Sequence, residues 1–149
     1  IVKELHKAGA DVTTPKQNGA TPLYIAAQNG HVKVVKELGK MGGNDTVNIA
    51  REDGVTPLYI ASQNGHWEVV RELGKMGGDA NAPSLDGYTP IFIAAFDGHL
   101  EVVKELGNIG ANVNTLFQDG SSPLHMAAQN GNLEVVQELE TMGAKVNAR

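Results

Sequence analysis

A short apolar segment that begins with a hydroxyl residue and a proline occurs four times along the chain. The first copy runs from Thr21 to Gly30 as TPLYIAAQNG, and the others begin at Thr56, Thr89 and Ser122, at offsets of 35, 33 and 33 residues. In each copy consecutive apolar residues are followed by very small ones, mostly alanine. Self-similarity at this spacing is typical of proteins built from stacked supersecondary units.

Each copy predicts a short helix with defined ends, followed by a second helix. The Thr or Ser hydroxyl can cap the first turn, proline suits the first helical position, and glycine favours termination. Beyond a tight turn, Val32, Val35 and Leu38 recur at helical spacing. Charged residues there lie three or four positions apart, as in Glu72 and Lys75, which is typical of a solvated helix face.

An Asn-Gly or Asp-Gly pair precedes each helix start. These pairs are Asn18-Gly19, Asp53-Gly54, Asp86-Gly87 and Asp119-Gly120. Such pairs favour two-residue hairpin loops of type I′, in which both central residues need positive φ. The predicted fold class is therefore all-α: an α-solenoid of paired antiparallel helices with short β-hairpin turns.

The repeat divides the chain into units within one predicted domain, 1–149. Residues 1–15 match the second half of a unit, and the complete units are 16–50 (unit 1), 51–83 (unit 2), 84–116 (unit 3) and 117–149 (unit 4). Unit 1 is longer by two residues, which we place near Asn44 and Asp45, because insertions in repeat proteins fall in loops.

The units resemble ankyrin repeats over essentially the whole chain. The family pattern, roughly D-x-x-G-x-T-P-L-H-x-A-A-x-x-G-H-x-x-V-V-x-x-L-L-x-x-G-A-x-x-N, is met in four copies in register. The resemblance implies an L-shaped unit, a curved stack, and a concave surface made of hairpin tips and the exposed side of the first helix.

Two departures from the family pattern recur. The family histidine is kept at His125 and replaced by Tyr24, Tyr59 and Phe92 in the other units. The second leucine of the family's second helix is replaced by glycine in three units, at Gly39, Gly74 and Gly107. Since glycine inside a helix costs about 1 kcal/mol relative to alanine, these positions predict a less stable array.

Composition narrows the classes of partner and compartment. The net charge of −5 argues against nucleic acid as the partner, and no apolar run is long enough for a membrane span. The chain has no cysteine, which is compatible with a reducing compartment. We therefore predict an intracellular, cytoplasmic protein that binds neither nucleic acid nor membrane.

No arrangement for catalysis or metal binding is apparent. His31, His66 and His99 occupy one repeat position, so they lie roughly 10 Å apart along a stack of packed helices. That is too far for one metal ion, whose bonds to histidine are about 2.0–2.1 Å. The chain also lacks a nucleophile motif and a phosphate-binding glycine loop. We predict no enzyme activity, no cofactor and no metal.

By the resemblance, partners bind residues at the hairpin tips and the last turn of the first helix. These are Gln17, Ala20, Gln28 and Asn29 in unit 1; Glu52, Val55, Gln63 and Asn64 in unit 2; Leu85, Tyr88, Phe96 and Asp97 in unit 3; and Gln118, Ser121, Gln129 and Asn130 in unit 4. In units 1, 2 and 4 these sets are small or polar, and a Gln-Asn pair recurs in each.

Unit 3 differs from the others because it presents Leu85, Tyr88 and Phe96 together. Leu116 and Phe117 lie at its junction with unit 4. Aromatic anchors carry a large share of binding energy at protein interfaces, so we favour this unit as the centre of a binding site. The alternative is that Tyr88 and Phe96 pack on each other or on the next unit.

The function predicted is a non-catalytic protein–protein interaction module that binds a protein or peptide through its concave groove. A basic or mixed polar and apolar partner fits the carboxylates Glu52 and Asp97. The alternatives are a structural spacer or scaffold array, or a designed or duplicated repeat protein, without a groove ligand. A monomer is predicted, with end-to-end contact through uncapped termini as the alternative.

Overall fold

The computed structural model describes residues 19–146, and in this range the chain forms a row of paired helices. The first helices of the four units are α1 (Pro22–Gln28), α3 (Pro57–Gln63), α5 (Pro90–Asp97) and α7 (Pro123–Gln129). The second helices are α2 (Val32–Lys40), α4 (Trp67–Lys75), α6 (Leu100–Asn108) and α8 (Leu133–Thr141). Between residues 19 and 146 there is no β-strand. The predicted partial repeat 1–15 and the predicted contact residue Gln17 lie outside the described residues.

The first helices begin where the sequence predicts. Thr21 Oγ1 accepts a hydrogen bond from the Tyr24 amide at 3.1 Å, and Thr56 does the same for Tyr59. The last cap is reciprocal, because the Ser122 amide also donates to the imidazole Nδ1 of His125 at 2.9 Å. These bonds satisfy amides that a helix start would otherwise leave without partners.

The helices form two layers, and each helix packs on its counterpart in the next unit. The first layer contains α1, α3, α5 and α7 in order, and the second contains α2, α4, α6 and α8. Leu58, Leu73, Ile91 and Leu106 are fully buried in the core that these layers enclose. The confirmed fold class is thus an all-α stack, stabilised by contacts between neighbouring units.

The extra residues of unit 1 form a short 3₁₀ helix, Gly43–Thr46, directly after α2. This is where the two-residue insertion is predicted. Beyond it, the side-chain amide of Asn48 donates a hydrogen bond to the Gly77 carbonyl at 3.2 Å. Asn81 and Asn114 make the same hydrogen bond in the later units, to the carbonyls of Gly110 and Gly143. The insertion is therefore absorbed locally, and the register of the stack continues past it.

The hairpin loops differ from the predicted type I′ turn. Arg51 donates its amide to the Val55 carbonyl at 2.9 Å and Gly54 donates to Arg51 at 2.8 Å, so the loop contains three residues. Gly54 has a φ of 80°, whereas no non-glycine residue in the described range has a positive φ. The Asp53 carboxylate accepts the Val55 amide at 3.1 Å and holds the aspartate at negative φ. The type I′ prediction was wrong because this side-chain bond favours a three-residue loop ending in glycine.

The glycines inside the second helices have a packing role that the sequence interpretation lacked. Ile109 of unit 3 lies against Gly74 of unit 2, where an added β-carbon would be 2.6 Å from Ile109 Cγ2. The Met142 methyl group lies against Gly107 in the same way. Glycine in these helices thus makes room for an apolar side chain of the following unit.

Polar side chains also join neighbouring units. Asn81 donates to the Gly110 carbonyl and accepts the Asn112 amide at 2.8 Å. His66 Nε2 lies 3.1 Å from the Gln28 carbonyl, and His99 Nε2 lies 3.0 Å from that of Gln63. Each contact satisfies a backbone group at a helix or loop end. The recurring histidines are therefore explained by the stack.

Candidate functional site

Three aromatic rings meet where unit 3 packs on unit 4. Tyr88 stacks on Phe117 with ring centroids 4.4 Å apart and an angle of 7° between the ring planes. Phe92 lies behind them, 5.3 Å from Tyr88 and 5.9 Å from Phe117 between centroids. Tyr88 thus ends the hairpin loop at the start of unit 3 but packs on Phe117, the first residue of unit 4.

A surface pocket of about 240 Å³ lies beside these rings, and we name it the aromatic pocket. Its walls are mainly apolar, and its polar edge is formed by the Asp119 loop. The lining residues are Tyr88, Phe92, Ile93, Phe96, Phe117, Asp119, Ser121 and Met126. The structure therefore brings together two of the predicted unit 3 residues, Tyr88 and Phe96, with predicted Ser121 from unit 4.

Several apolar side chains around this junction remain accessible. Phe96 is 44% exposed and Leu116 is 46% exposed. Leu85, at 77%, is more exposed still, but it lies at the hairpin tip, where its amide donates to the Asp53 carbonyl at 2.9 Å. Leu85 is not part of the aromatic pocket and would meet a partner at a separate point.

The remaining predicted contact residues are distributed along the hairpin and first-helix side. Exposed ones are Asn29, Glu52, Asn64, Asp97, Gln118, Gln129 and Asn130, and partly exposed ones are Gln28, Gln63 and Ser121. Two of them also serve the stack, because the Asn64 side chain donates to the Gln28 carbonyl and that of Asn130 to the Phe96 carbonyl. This contact gives a structural reason for the asparagine of the recurring Gln-Asn pair, because its acceptor is a backbone carbonyl that either glutamine or phenylalanine supplies.

The assignment of Val55 to the contact surface is corrected by its burial. Val55 is only 7% exposed and belongs to the core, as does Ala20 at 1%. The residue that ends the hairpin loop enters the space between units, so a small apolar side chain there is covered. Tyr88 occupies the same position in unit 3 and is only partly buried, because its ring extends to the surface.

The junction between units 1 and 2 contains an arginine in place of Phe117. The guanidinium carbon of Arg51 lies 5.1 Å from the centroid of the Tyr24 ring. Its Nε donates to Asp53 Oδ1 at 3.2 Å, and its Nη2 donates to Asp53 Oδ2. These bonds from Arg51 hold the pKa of Asp53 below its ordinary value, whereas burial raises the pKa of the Tyr24 hydroxyl.

At the junction between units 3 and 4 the equivalent residues are Phe92, Phe117 and Asp119. The carboxylate is kept while the arginine is replaced by phenylalanine. Asp119 Oδ1 accepts the Ser121 amide at 2.9 Å. Hydrogen bonds from the Ser121 hydroxyl and amide lower the pKa of the Asp119 carboxyl, so it is ionised at neutral pH.

The hairpin and first-helix side carries more negative than positive charge. From residue 19 to 146, its carboxylates are Glu52, Asp53, Asp86, Asp97 and Asp119, and its one arginine or lysine is Arg51. Because Arg51 is paired with Asp53, its charge is locally compensated. Among residues 19–146, this side thus has an excess of negative charge, which favours a cationic partner.

Sequence reasoning did not single out three pocket residues: Ile93, Met126 and Asp119. Ile93 lies one helical turn before Phe96, and residues at that spacing share a helix face. Met126 is its counterpart in unit 4. Helical spacing from Phe96 could therefore have found Ile93, whereas Asp119 was explained by its turn alone.

Residues 19–146 contain neither a membrane-spanning helix nor a metal-binding cluster. No helix in this part of the chain is long and apolar enough to cross a membrane. No group of three or more His, Cys, Asp or Glu side chains there is arranged to hold a metal ion.

Comparison with protein families agrees with the repeat geometry. A family model described as ankyrin repeats (3 copies) matches residues 1–84 and 73–149. The chain therefore belongs to the ankyrin repeat family. Proteins of this family are generally interaction modules that bind protein partners and are typically non-enzymatic. No curated protein matches the chain.

Proposed function

We propose that this chain is a non-catalytic interaction module that binds a protein or peptide at the junction between units 3 and 4. The observation that carries the proposal is the accessible apolar surface of Phe96 beside the aromatic pocket. Exposed apolar patches on folded proteins commonly mark contact sites. Aromatic anchors near the centre of an interface often dominate its binding energy.

The position of the pocket also supports this proposal. Phe96 is on the last turn of α5, and Ser121 closes the hairpin before α7. Both belong to the hairpin and first-helix side. The family resemblance implies that partners bind on this side. A partner segment lying along this side would pass the pocket and could also contact Leu85 and the exposed Gln118.

A structural role is the second candidate, and the stacking of Tyr88 on Phe117 favours it. The pair joins units 3 and 4, so Tyr88 contributes to packing regardless of any partner. Phe96 distinguishes the two candidates. Glutamine occupies its position in the other units, so the stack does not require an aromatic ring there.

The test is selection of binders from a random library of short peptides on the immobilised protein. Selected peptides are then measured against Phe96→Gln, which introduces the residue found at the same position in units 1, 2 and 4. We expect the dissociation constant to rise by about tenfold or more, which is about 1.4 kcal/mol. Leu133→Ala is the matched control, because Leu133 is 66% exposed on α8 and lies outside the pocket.

Peptides that bind Phe96→Gln as tightly as the wild type would remove the pocket from the proposal. If Leu133→Ala instead weakens binding while Phe96→Gln does not, the contact surface lies on the second-helix side. Far-ultraviolet circular dichroism of both variants verifies that helix content is unchanged.

A further inference from the structure

We propose that the aromatic pocket takes an arginine side chain of a basic partner segment, with the guanidinium between the pocket rings and the Asp119 carboxylate. This inference rests on the proposed function and names the chemistry of its ligand. Two places in the same chain already combine an aromatic ring, an arginine and a carboxylate.

The first place is the junction between units 1 and 2. Arg51 lies over Tyr24 and donates two hydrogen bonds to Asp53 from Nε and Nη2. Because a guanidinium is planar and has donors in a fixed fork, it can stack on a ring and bind a carboxylate together. Here both contacts are satisfied within the chain.

The second place is on the second-helix side. The guanidinium carbon of Arg71 lies 4.9 Å from the Trp67 ring centroid, and Nη2 donates to Glu105 at 2.6 Å. Trp67 and Arg71 are on α4 and Glu105 is on α6, so this arrangement also spans two units. The chain thus uses the same three groups twice, in different local frameworks.

The junction between units 3 and 4 keeps the ring and the carboxylate but has no arginine. Phe92 stands at the Tyr24 position, Asp119 at the Asp53 position, and Phe117 at the Arg51 position. Within the described part of the chain, Asp119 has no ion-pair partner, and both Asp119 and the neighbouring rings line the pocket. The missing guanidinium can therefore come from another molecule.

Charge and shape favour arginine over an apolar side chain. The Asp119 carboxylate would be desolvated against an apolar ligand without compensation, which is unfavourable. The methylene stem of arginine can cover Phe96 and Met126 while its head reaches the carboxylate. Arginine is favoured over lysine because its planar group stacks on rings, whereas the lysine ammonium is compact and strongly hydrated.

The experiment uses four synthetic pentapeptides, in which glycines flank a central arginine, citrulline, lysine or leucine. Citrulline has the shape of arginine without its charge. Binding is followed by the methyl resonances of ¹³C-methyl-methionine protein, because Met126 lines the pocket and the other methionines do not. We expect the arginine peptide to shift Met126 saturably, with a dissociation constant at least about tenfold below that of citrulline.

Two variants test the roles of the carboxylate and the open site. Asp119→Asn retains an acceptor for the Ser121 amide, so the loop is preserved. This variant should bind the arginine peptide about tenfold more weakly than the wild type and the leucine peptide with unchanged affinity. Phe117→Arg introduces the residue of unit 2 and should occupy the pocket from within, so the arginine peptide no longer shifts Met126.

Equal binding of arginine and citrulline peptides, or of the arginine peptide to wild type and Asp119→Asn, would overturn the inference. Tighter binding of the leucine peptide at Met126 would overturn it while leaving the proposed docking site in place. Peptides that bind and shift only the other methionines would remove both proposals.

Discussion

Ile109 fills the space beside the helical residue Gly74, so that a β-carbon added to Gly74 would stand 2.6 Å from Ile109 Cγ2. Contacts this short force the neighbour to move, and the β-branched side chain of isoleucine has few alternative rotamers. At Gly39 the nearest atom, Met76 Sδ, would be 3.4 Å away, at ordinary contact distance. Packing thus requires glycine at position 74, whereas the equivalent position 39 has room for a β-carbon.

Gly74→Ala should destabilise the protein although alanine favours the helix. Helix propensity contributes about 1 kcal/mol in favour of alanine, whereas overpacking costs about 1–3 kcal/mol, so we expect a net loss of about 1 kcal/mol. Gly39→Ala is the matched control and should be neutral or stabilising. Urea unfolding followed by circular dichroism gives both values.

A double-mutant cycle of Gly74→Ala with Ile109→Ala identifies the cause of the destabilisation. In the Ile109→Ala background the β-carbon at position 74 faces only the β-carbon of residue 109, at the ordinary contact distance of 3.4 Å, so Gly74→Ala should become stabilising. If Gly74→Ala stabilises the wild type as much as Gly39→Ala does, the packing explanation is wrong.

Asn81 links the ends of units 2 and 3, and its removal should loosen that link. It donates to the Gly110 carbonyl and accepts the Asn112 amide, so Asn81→Ala leaves two backbone groups without their partner. Because these groups are exposed and water can replace the lost partner, we expect a loss of about 0.5–1.5 kcal/mol and faster hydrogen exchange of the Asn112 amide. Asn108→Ala, at the exposed end of α6, is the control; equal exchange of the Asn112 amide in both variants would refute the role of Asn81.

The pair of Arg51 and Asp53 should make stability depend on pH. Hydrogen bonds from Arg51 lower the pKa of Asp53 in the folded protein. The contribution is therefore present above the unfolded pKa of about 3.9 and is lost as pH falls through the lower folded value. Because Asp53 is largely solvated, we expect only on the order of 0.5 kcal/mol.

Asp53→Asn keeps the acceptor for the Val55 amide and isolates this charge contribution. Its destabilisation relative to the wild type should be measurable by urea unfolding at neutral pH and should shrink at acidic pH below the folded pKa. Arg51→Gln removes the guanidinium that lowers the pKa of Asp53. In that background Asp53→Asn should change the free energy of unfolding little at either pH. A destabilisation by Asp53→Asn that is unchanged by acid would contradict the assignment.

Features set by local chemistry could be predicted from the sequence. Thr21 and Ser122 cap helices because each directly precedes proline, is itself extended, and has a hydroxyl that accepts an amide within the first turn. The recurrence of these signals at a fixed spacing also predicts the stack. Phe96 could be placed on the surface because its counterparts are glutamine.

Features that depend on the neighbouring unit could not be predicted in this way. Val55 looks like a loop residue, but it is buried in the core that the packed units form together. Gly74 looks unfavourable until Ile109, 35 residues later, is seen against it. The three-residue hairpin depends on the Asp53 side chain accepting a backbone amide, which the Asp-Gly pair alone does not indicate.

The most direct measurement of the central claim is the set of methionine methyl shifts on addition of a library-selected peptide. Met126 lines the aromatic pocket, whereas Met41, Met76 and Met142 lie at the ends of the second helices. Binding at the junction of units 3 and 4 predicts a saturable shift of Met126 with the other three unchanged. Shifts confined to Met41, Met76 and Met142 would contradict it.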